Sequence, residues 1–205
     1  MTALVRTRPT GWTIALACSA ALIIGATAIY AAYPDPIDGI RRVIRVTAHT
    51  SLTFFLLAFT ASSLQRLWPG PATQFLRRHR REFGVTFAVS HIIHAIAIIA
   101  LIRSDQALFW QLSSIGNIIA GGSAYVVILL MLATSFPGPA RWIGPRVWSV
   151  LHLYGAWFIW ISFMVTNGKR IATGPGFAIA VGLLVLAASL KIAAKIQARR
   201  GATPY

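Results

Sequence analysis

Long apolar runs alternate with short polar or turn-rich segments along the whole chain. Each run is long enough to cross the hydrocarbon core of a bilayer as a helix, which takes about 20 residues. Prolines and glycines break the pattern between runs, as at 68–71 and 137–139. The pattern predicts an all-α, integral membrane six-helix bundle forming one domain over residues 1–205, with spans at 12–33, 46–67, 83–102, 115–136, 147–165 and 176–196.

The first and fourth spans each carry a further signal. The first follows Arg6 and Arg8 and precedes small residues, as a signal peptide does, but its length and the five later spans favour a retained helix. In the fourth span Gly121 and Gly122 are adjacent. Paired glycines in a membrane helix usually mark close packing, so the pair permits a tight helix contact, within the chain or between chains.

Composition and charge agree with a membrane protein. The chain is 57% hydrophobic and only 11% charged, with 19 basic and four acidic residues and a net charge of +15. The basic residues stand in short clusters between apolar runs, so we expect membrane lipid and no nucleic acid as a partner. If the N-terminus is inside, thirteen of the 19 basic residues fall inside and three of the four acids outside. This asymmetry predicts an N-in, C-in orientation.

Four of the five histidines fall within predicted spans: His49, His91, His94 and His152. The fifth, His79, stands among arginines and is predicted to be a solvated loop residue. An ionisable side chain in a membrane helix usually faces the bundle interior and has a partner. No span interior contains Asp or Glu, which disfavours a carboxylate–histidine relay and favours heme iron as the partner. The alternative is that the histidines only hydrogen-bond between helices, in a non-heme scaffold or small-solute carrier.

The helical rise gives approximate depths for these candidate ligands. His91 lies about 12 Å and His94 about 16 Å from the inner edge of the third span, and His152 about 8 Å from that of the fifth. Depth therefore slightly favours His91 as the partner of His152 on one iron. His49 lies near the outer edge of the second span and is nearest in depth to His94, which permits a second, outer heme.

Three stretches resemble a known family. Residues 47–67 are similar to its second-helix pattern, although Ser-Ser-Leu at 62–64 replaces the family's Thr-Pro-Leu-Arg type motif. Arg-Arg-Glu-Phe-Gly at 80–84, with His94 ten residues after the glycine, resembles its Arg-Arg-x-x-Gly and third-helix heme histidine. Trp-Ser-Val-Leu-His at 148–152 resembles its fifth-helix motif. The family is the ferric reductase-like transmembrane domain, including small bacterial heme proteins such as the membrane subunit of the periplasmic methionine-sulfoxide reductase system.

The resemblance implies b-type heme with iron ligands ranked His94, His152, His91 and then His49. The family usually carries another histidine about thirteen residues after the fifth-helix one, and that position is Val165 here. The count of one heme or two therefore stays open.

The implied function is electron transfer across a bacterial cell (inner) membrane. Electrons would enter on the inner side from a separate flavoprotein or quinol, because no Gly-rich phosphate loop and hence no flavin site is found in the sequence. They would leave to an outer-side partner protein, ferric ion or oxygen. Arg80, Arg81 and Arg146 are the candidate partners for heme propionates, and the chain would be the membrane subunit of an oxidoreductase.

Overall fold

The computed structural model of the chain describes residues 10–200. Over that range the chain is helical and has no strand. Its elements are α1 Thr10–Ala31, α2 Pro36–Leu67, α3 Pro71–Arg78, α4 Arg80–Ser104, α5 Gln106–Leu112, α6 Ile115–Ala133, α7 Pro137–Gly168, a 3₁₀ turn Ile171–Thr173 and α8 Pro175–Arg200. In this part of the chain six helices, all except α3 and α5, are long and apolar enough to cross a membrane. The predicted all-α, six-span class is therefore confirmed.

The central pair of the bundle is α2 and α4. They meet through small and hydroxyl-bearing side chains, with Ser51, Thr86 and Ser90 fully buried and Thr47 nearly so. In lipid no hydrophobic force drives helices together, so small residues that let the backbones approach favour such a contact. The pair therefore forms a rigid platform for the residues that project from α4.

An aromatic cluster joins this platform to the other helices. The ring of Phe55 on α2 lies 5.5 Å from that of Phe87 on α4 and 5.4 Å from that of Phe163 on α7, between ring centroids. Leu184 of α8 is fully buried beside them. Aromatic pairs at these spacings are each worth about 0.5–1.5 kcal/mol beyond their burial, so the cluster fixes the height of α7 against α4.

Helix α7 is bent near its start. Gly144 has φ 75° and ψ 164°, a left-handed conformation that is open to glycine and costly for other residues. Pro145 follows and begins a new helical segment, because its fixed φ suits a first turn. The bend leaves residues 137–143 as a short separate segment, on which Trp142 is 88% exposed.

The tight contact that Gly121 and Gly122 permit is not made within the described part of the chain, since a Cβ added at either would meet nothing within 4 Å. The close approach occurs instead at Gly155 of α7. There an added Cβ would lie 2.6 Å from the sulfur of Met131 on α6. The fifth predicted span therefore supplies the packing glycine, opposite a flexible methionine.

His79 is not the solvated loop residue that its arginine neighbours suggest. It lies between α3 and α4, is only 6% exposed, and its ring packs on Phe75 with centroids 4.5 Å apart. Its Nδ1 is 4.0 Å from a carboxylate oxygen of Glu82. The short helix α3 folds back toward α4 and covers this histidine, which a pattern of charges along the sequence does not reveal.

Candidate functional site

One ring nitrogen of His94 is held by α2 and the other is left open. Its Nδ1 lies 3.0 Å from the carbonyl oxygen of Ile44 and 3.0 Å from Thr47 Oγ1. The Thr47 hydroxyl donates its own proton to the Val43 carbonyl at 2.7 Å, so it accepts from the imidazole. Nδ1 therefore carries the ring proton and Nε2 keeps its lone pair. Metal-binding histidines are typically oriented by such a hydrogen bond from the second nitrogen.

A network of hydroxyl groups continues from Thr47 along the contact between α2 and α4. Ser90 Oγ lies 2.8 Å from Thr50 Oγ1, accepts from Ser51 Oγ at 3.0 Å and donates to the Thr47 carbonyl at 3.2 Å. Every hydroxyl in this set has a protein partner. A fully satisfied buried network fixes one arrangement of the two helices, and thereby the position of the His94 ring.

His91 lies one turn before His94 and on the same side of α4, with ring centroids 5.5 Å apart. Its ring also contacts Tyr125 on α6 at 4.9 Å and Phe163 on α7 at 6.0 Å. Among the described residues, His91 Nδ1 and the Tyr125 hydroxyl are both buried without a hydrogen-bond partner. Adjacent unsatisfied polar atoms of this kind call for a ligand or an ordered water between α4, α6 and α7.

His152 occupies a different pocket of side chains. Its Nε2 lies 3.0 Å from the hydroxyl of Thr134, at the end of α6, and that hydroxyl donates to the Leu130 carbonyl at 2.7 Å. The imidazole therefore donates from Nε2, which leaves the lone pair on Nδ1. The Trp148 ring stacks on the imidazole at 4.3 Å, and its Nε1 donates to the Thr134 carbonyl at 2.9 Å. Tryptophan and threonine together hold this ring in place.

The structure does not bring His152 together with His91 and His94. On α7, His152 is eleven residues from Phe163, the residue that contacts His91, which corresponds to about 16 Å of helix. On α6, Thr134 at His152 is nine residues from Tyr125 at His91, or about 14 Å. Two nitrogens bound to one metal lie only about 4 Å apart, twice a bond of about 2 Å. The histidines therefore define two levels, called here the His94 level and the His152 level.

His49 belongs to neither level. It is two residues after Thr47 on α2, which places it about 200° around the helix from the face that meets α4. Its side chain is exposed on the outside of the bundle. The similarity in depth between His49 and His94 therefore does not bring the two rings together.

The three candidate arginines are also in different surroundings. Arg80 donates from Nε to the Ala58 carbonyl at 3.1 Å and from Nη1 to Ser62 Oγ at 3.4 Å, so its guanidinium lies against α2. Arg81 instead lies over the ring of Trp12 at 4.7 Å. Arg146 is exposed beside the bend in α7. Of the three, Arg80 is the one that hydrogen-bonds to another membrane-spanning helix.

Sequence reasoning missed the residues that orient the imidazoles: Thr47, Tyr125 and Thr134. Their spacing from any histidine carries no signal, because each acts from another helix. The only usable hint was that Thr47 falls one helical turn before Ser51, which gives α2 a polar stripe inside an apolar span.

The fold and these positions define a class: a helical protein with six membrane-spanning helices and imidazoles held inside the bundle. Residues 45–163, more than half of the chain, match the family described as ferric reductase like transmembrane component. The chain belongs to this family, is a multi-pass membrane protein, and through its family is associated with electron transfer across the membrane. Comparison with curated proteins and with solved structures gave no match.

Proposed function

We propose that the chain is a b-type heme-binding membrane protein that transfers electrons across the bilayer. The observation that carries the proposal is His94, whose Nδ1–H is committed to the Ile44 carbonyl and whose Nε2 is left with a lone pair. The donor set supports heme rather than a bare ion. Residues 10–200 contain no cluster of three or more His, Cys, Asp or Glu side chains, whereas bare metal ions usually need three or four protein ligands. Heme supplies four of its own and needs one or two from the chain.

The two levels support one heme at His94 and a second at His152. Their separation of about 14–16 Å would divide electron transfer across roughly 30 Å of hydrocarbon into shorter steps. His91 lies beside His94 on the same face of α4, so the two imidazoles would not both hold one heme. It lines the His94 level together with Tyr125. Arg80, whose guanidinium lies against α2, is the first candidate to meet a heme propionate.

When bound, heme supplies the one-electron redox chemistry, and the chain supplies orientation and a dry surrounding. The Ile44 carbonyl and the Thr47 hydroxyl keep the His94 proton on Nδ1. Phe87 and Phe163 exclude water beside His91. The distribution of basic residues supports the N-in, C-in orientation in a bacterial inner membrane. Electrons would then pass from an inner flavoprotein or quinol to an outer partner protein, ferric ion or oxygen.

The test is a reduced-minus-oxidised spectrum of the protein purified in detergent after expression with ample heme. We expect b-type bands and about two hemes per chain. His94→Ala and His152→Ala should each remove one heme and leave the other, because the levels are separate. His49→Ala is the matched control and should keep both. Absence of any heme band would refute the proposal and favour interhelical bonding, as seen between His152 and Thr134, as the histidines' role.

A further inference from the structure

A cavity lies between α2 and α8 at the end of the bundle that carries Arg80. It is lined by Ser62, Ser63, Arg66, Lys191, Ala194 and Lys195 and has a volume of about 190 Å³. One water needs only about 15 Å³ of such space, so the cavity has room for a polyatomic group. Three of its six lining side chains are cations and two are hydroxyls.

Within residues 10–200, no acidic side chain pairs with a cation of this cavity. Arg66 donates to the Ala194 carbonyl at 3.5 Å and Lys191 to the Phe59 carbonyl at 3.3 Å, and both acceptors are neutral. Arg80 adds a fourth cation at the rim, where its guanidinium lies 3.4 Å from Ser62 Oγ.

All four acidic residues of the chain lie in its described part, and none pairs with a cavity cation. Asp35, Asp38 and Asp105 lie at the opposite helix ends, and Glu82 faces His79. Clustered cations without a carboxylate repel one another and favour an anion among them. The described part of the chain therefore supplies no counter-charge to the cavity.

We propose that this cavity binds a phosphate group, with an anionic phospholipid headgroup as its source. Basic pockets between membrane helices recognise such headgroups. The hydroxyls of Ser62 and Ser63 can donate to phosphate oxygens, as the cations do. Beside the two lysines of α8 lie Ile192 and Ile196, which are 56% and 46% exposed and offer an apolar surface for an acyl chain. None of the six lining residues is a histidine or another candidate heme-binding residue.

The experiment compares phosphatidylglycerol with phosphatidylcholine by native mass spectrometry of the intact heme-loaded protein. We expect one phosphatidylglycerol to be retained at least tenfold more strongly than phosphatidylcholine. Arg66→Gln combined with Lys195→Gln should abolish that preference. Arg77→Gln combined with Arg78→Gln removes the same charge from exposed positions on α3 and should leave it intact.

Two further measurements identify the source of the phosphate and detect a folding defect. Inorganic phosphate that binds in place of the lipid would identify free phosphate as the source, while lipid that resists it identifies the headgroup. Arg66→Lys combined with Lys195→Arg changes the same two side chains but keeps both charges, so this variant should bind phosphatidylglycerol. Binding by this variant would show that the glutamine pair loses the lipid through lost charge and not through poor folding. The proposal is overturned if neither phosphate source binds, if the α3 control loses the lipid equally, or if the glutamine pair loses heme together with lipid.

Discussion

Thr47→Val tests whether the α2 platform orients the His94 ligand. The substitution keeps the shape of the side chain and removes only the hydroxyl that accepts from His94 Nδ1. The Ile44 carbonyl remains as a second acceptor at 3.0 Å, so the ring proton stays on Nδ1. The effect should therefore be a weakening of heme binding at the His94 level and not its loss.

The size of this effect follows from the hydrogen bond removed. Hydrogen bonds between membrane helices average about 0.6 kcal/mol and reach about 1.7 kcal/mol. At about 1.4 kcal/mol per factor of ten, heme affinity should fall roughly 3-fold to 16-fold. Because a less strongly hydrogen-bonded imidazole is a weaker base, it stabilises ferric iron less, and the midpoint potential should rise.

The assay is a hemin titration of heme-depleted protein together with a redox titration of the reloaded protein. Thr53→Val is the matched control, since Thr53 bonds only to the His49 carbonyl on the exposed side of α2. If Thr47→Val behaves like this control in both affinity and potential, the hydroxyl does not orient His94. If it removes heme as completely as His94→Ala, Thr47 acts through the fold and the reasoning fails equally.

Two further predictions concern packing and orientation. Gly155→Ala should lower the free energy of unfolding in detergent by roughly 1–3 kcal/mol, because the new methyl overlaps a methionine sulfur, whereas Gly122→Ala should not. A thermal unfolding series would measure both, and equal midpoints would contradict the tight contact. In a Cys18→Ser background, an impermeant maleimide added to intact cells should label Gly174→Cys and not Gly70→Cys. The reverse pattern would show that the termini lie outside.

The class of fold could be predicted because hydrophobic length is a local property of the sequence. A run such as 83–102 crosses the membrane whatever its neighbours do. The depth of His152 relative to His91 in the membrane could not be predicted from local sequence. It depends on Phe163 meeting His91 and on Tyr125 facing α4, contacts between residues far apart in the chain.

The same limit explains why depth slightly favoured His91 whereas the family resemblance favoured His94. Both lie on one side of α4, three residues apart, and periodicity treats them alike. What separates them is the Ile44 carbonyl, which fixes the proton of His94 and has no counterpart at His91. A main-chain atom of another helix has no signature in side-chain patterns. This carbonyl is found only when the hydrogen-bond partner of each ring nitrogen is identified in the three-dimensional structure.

The bend at Gly144 and Pro145 fixes the residue at which the long segment of α7 begins. His152 stands seven residues after Pro145, and each residue inserted or deleted between them would rotate the imidazole by about 100° and move it by about 1.5 Å. Either change would take the ring away from Thr134 and Trp148. The number of residues between Pro145 and His152 is therefore more tightly constrained than the identity of those that do not contact the ring.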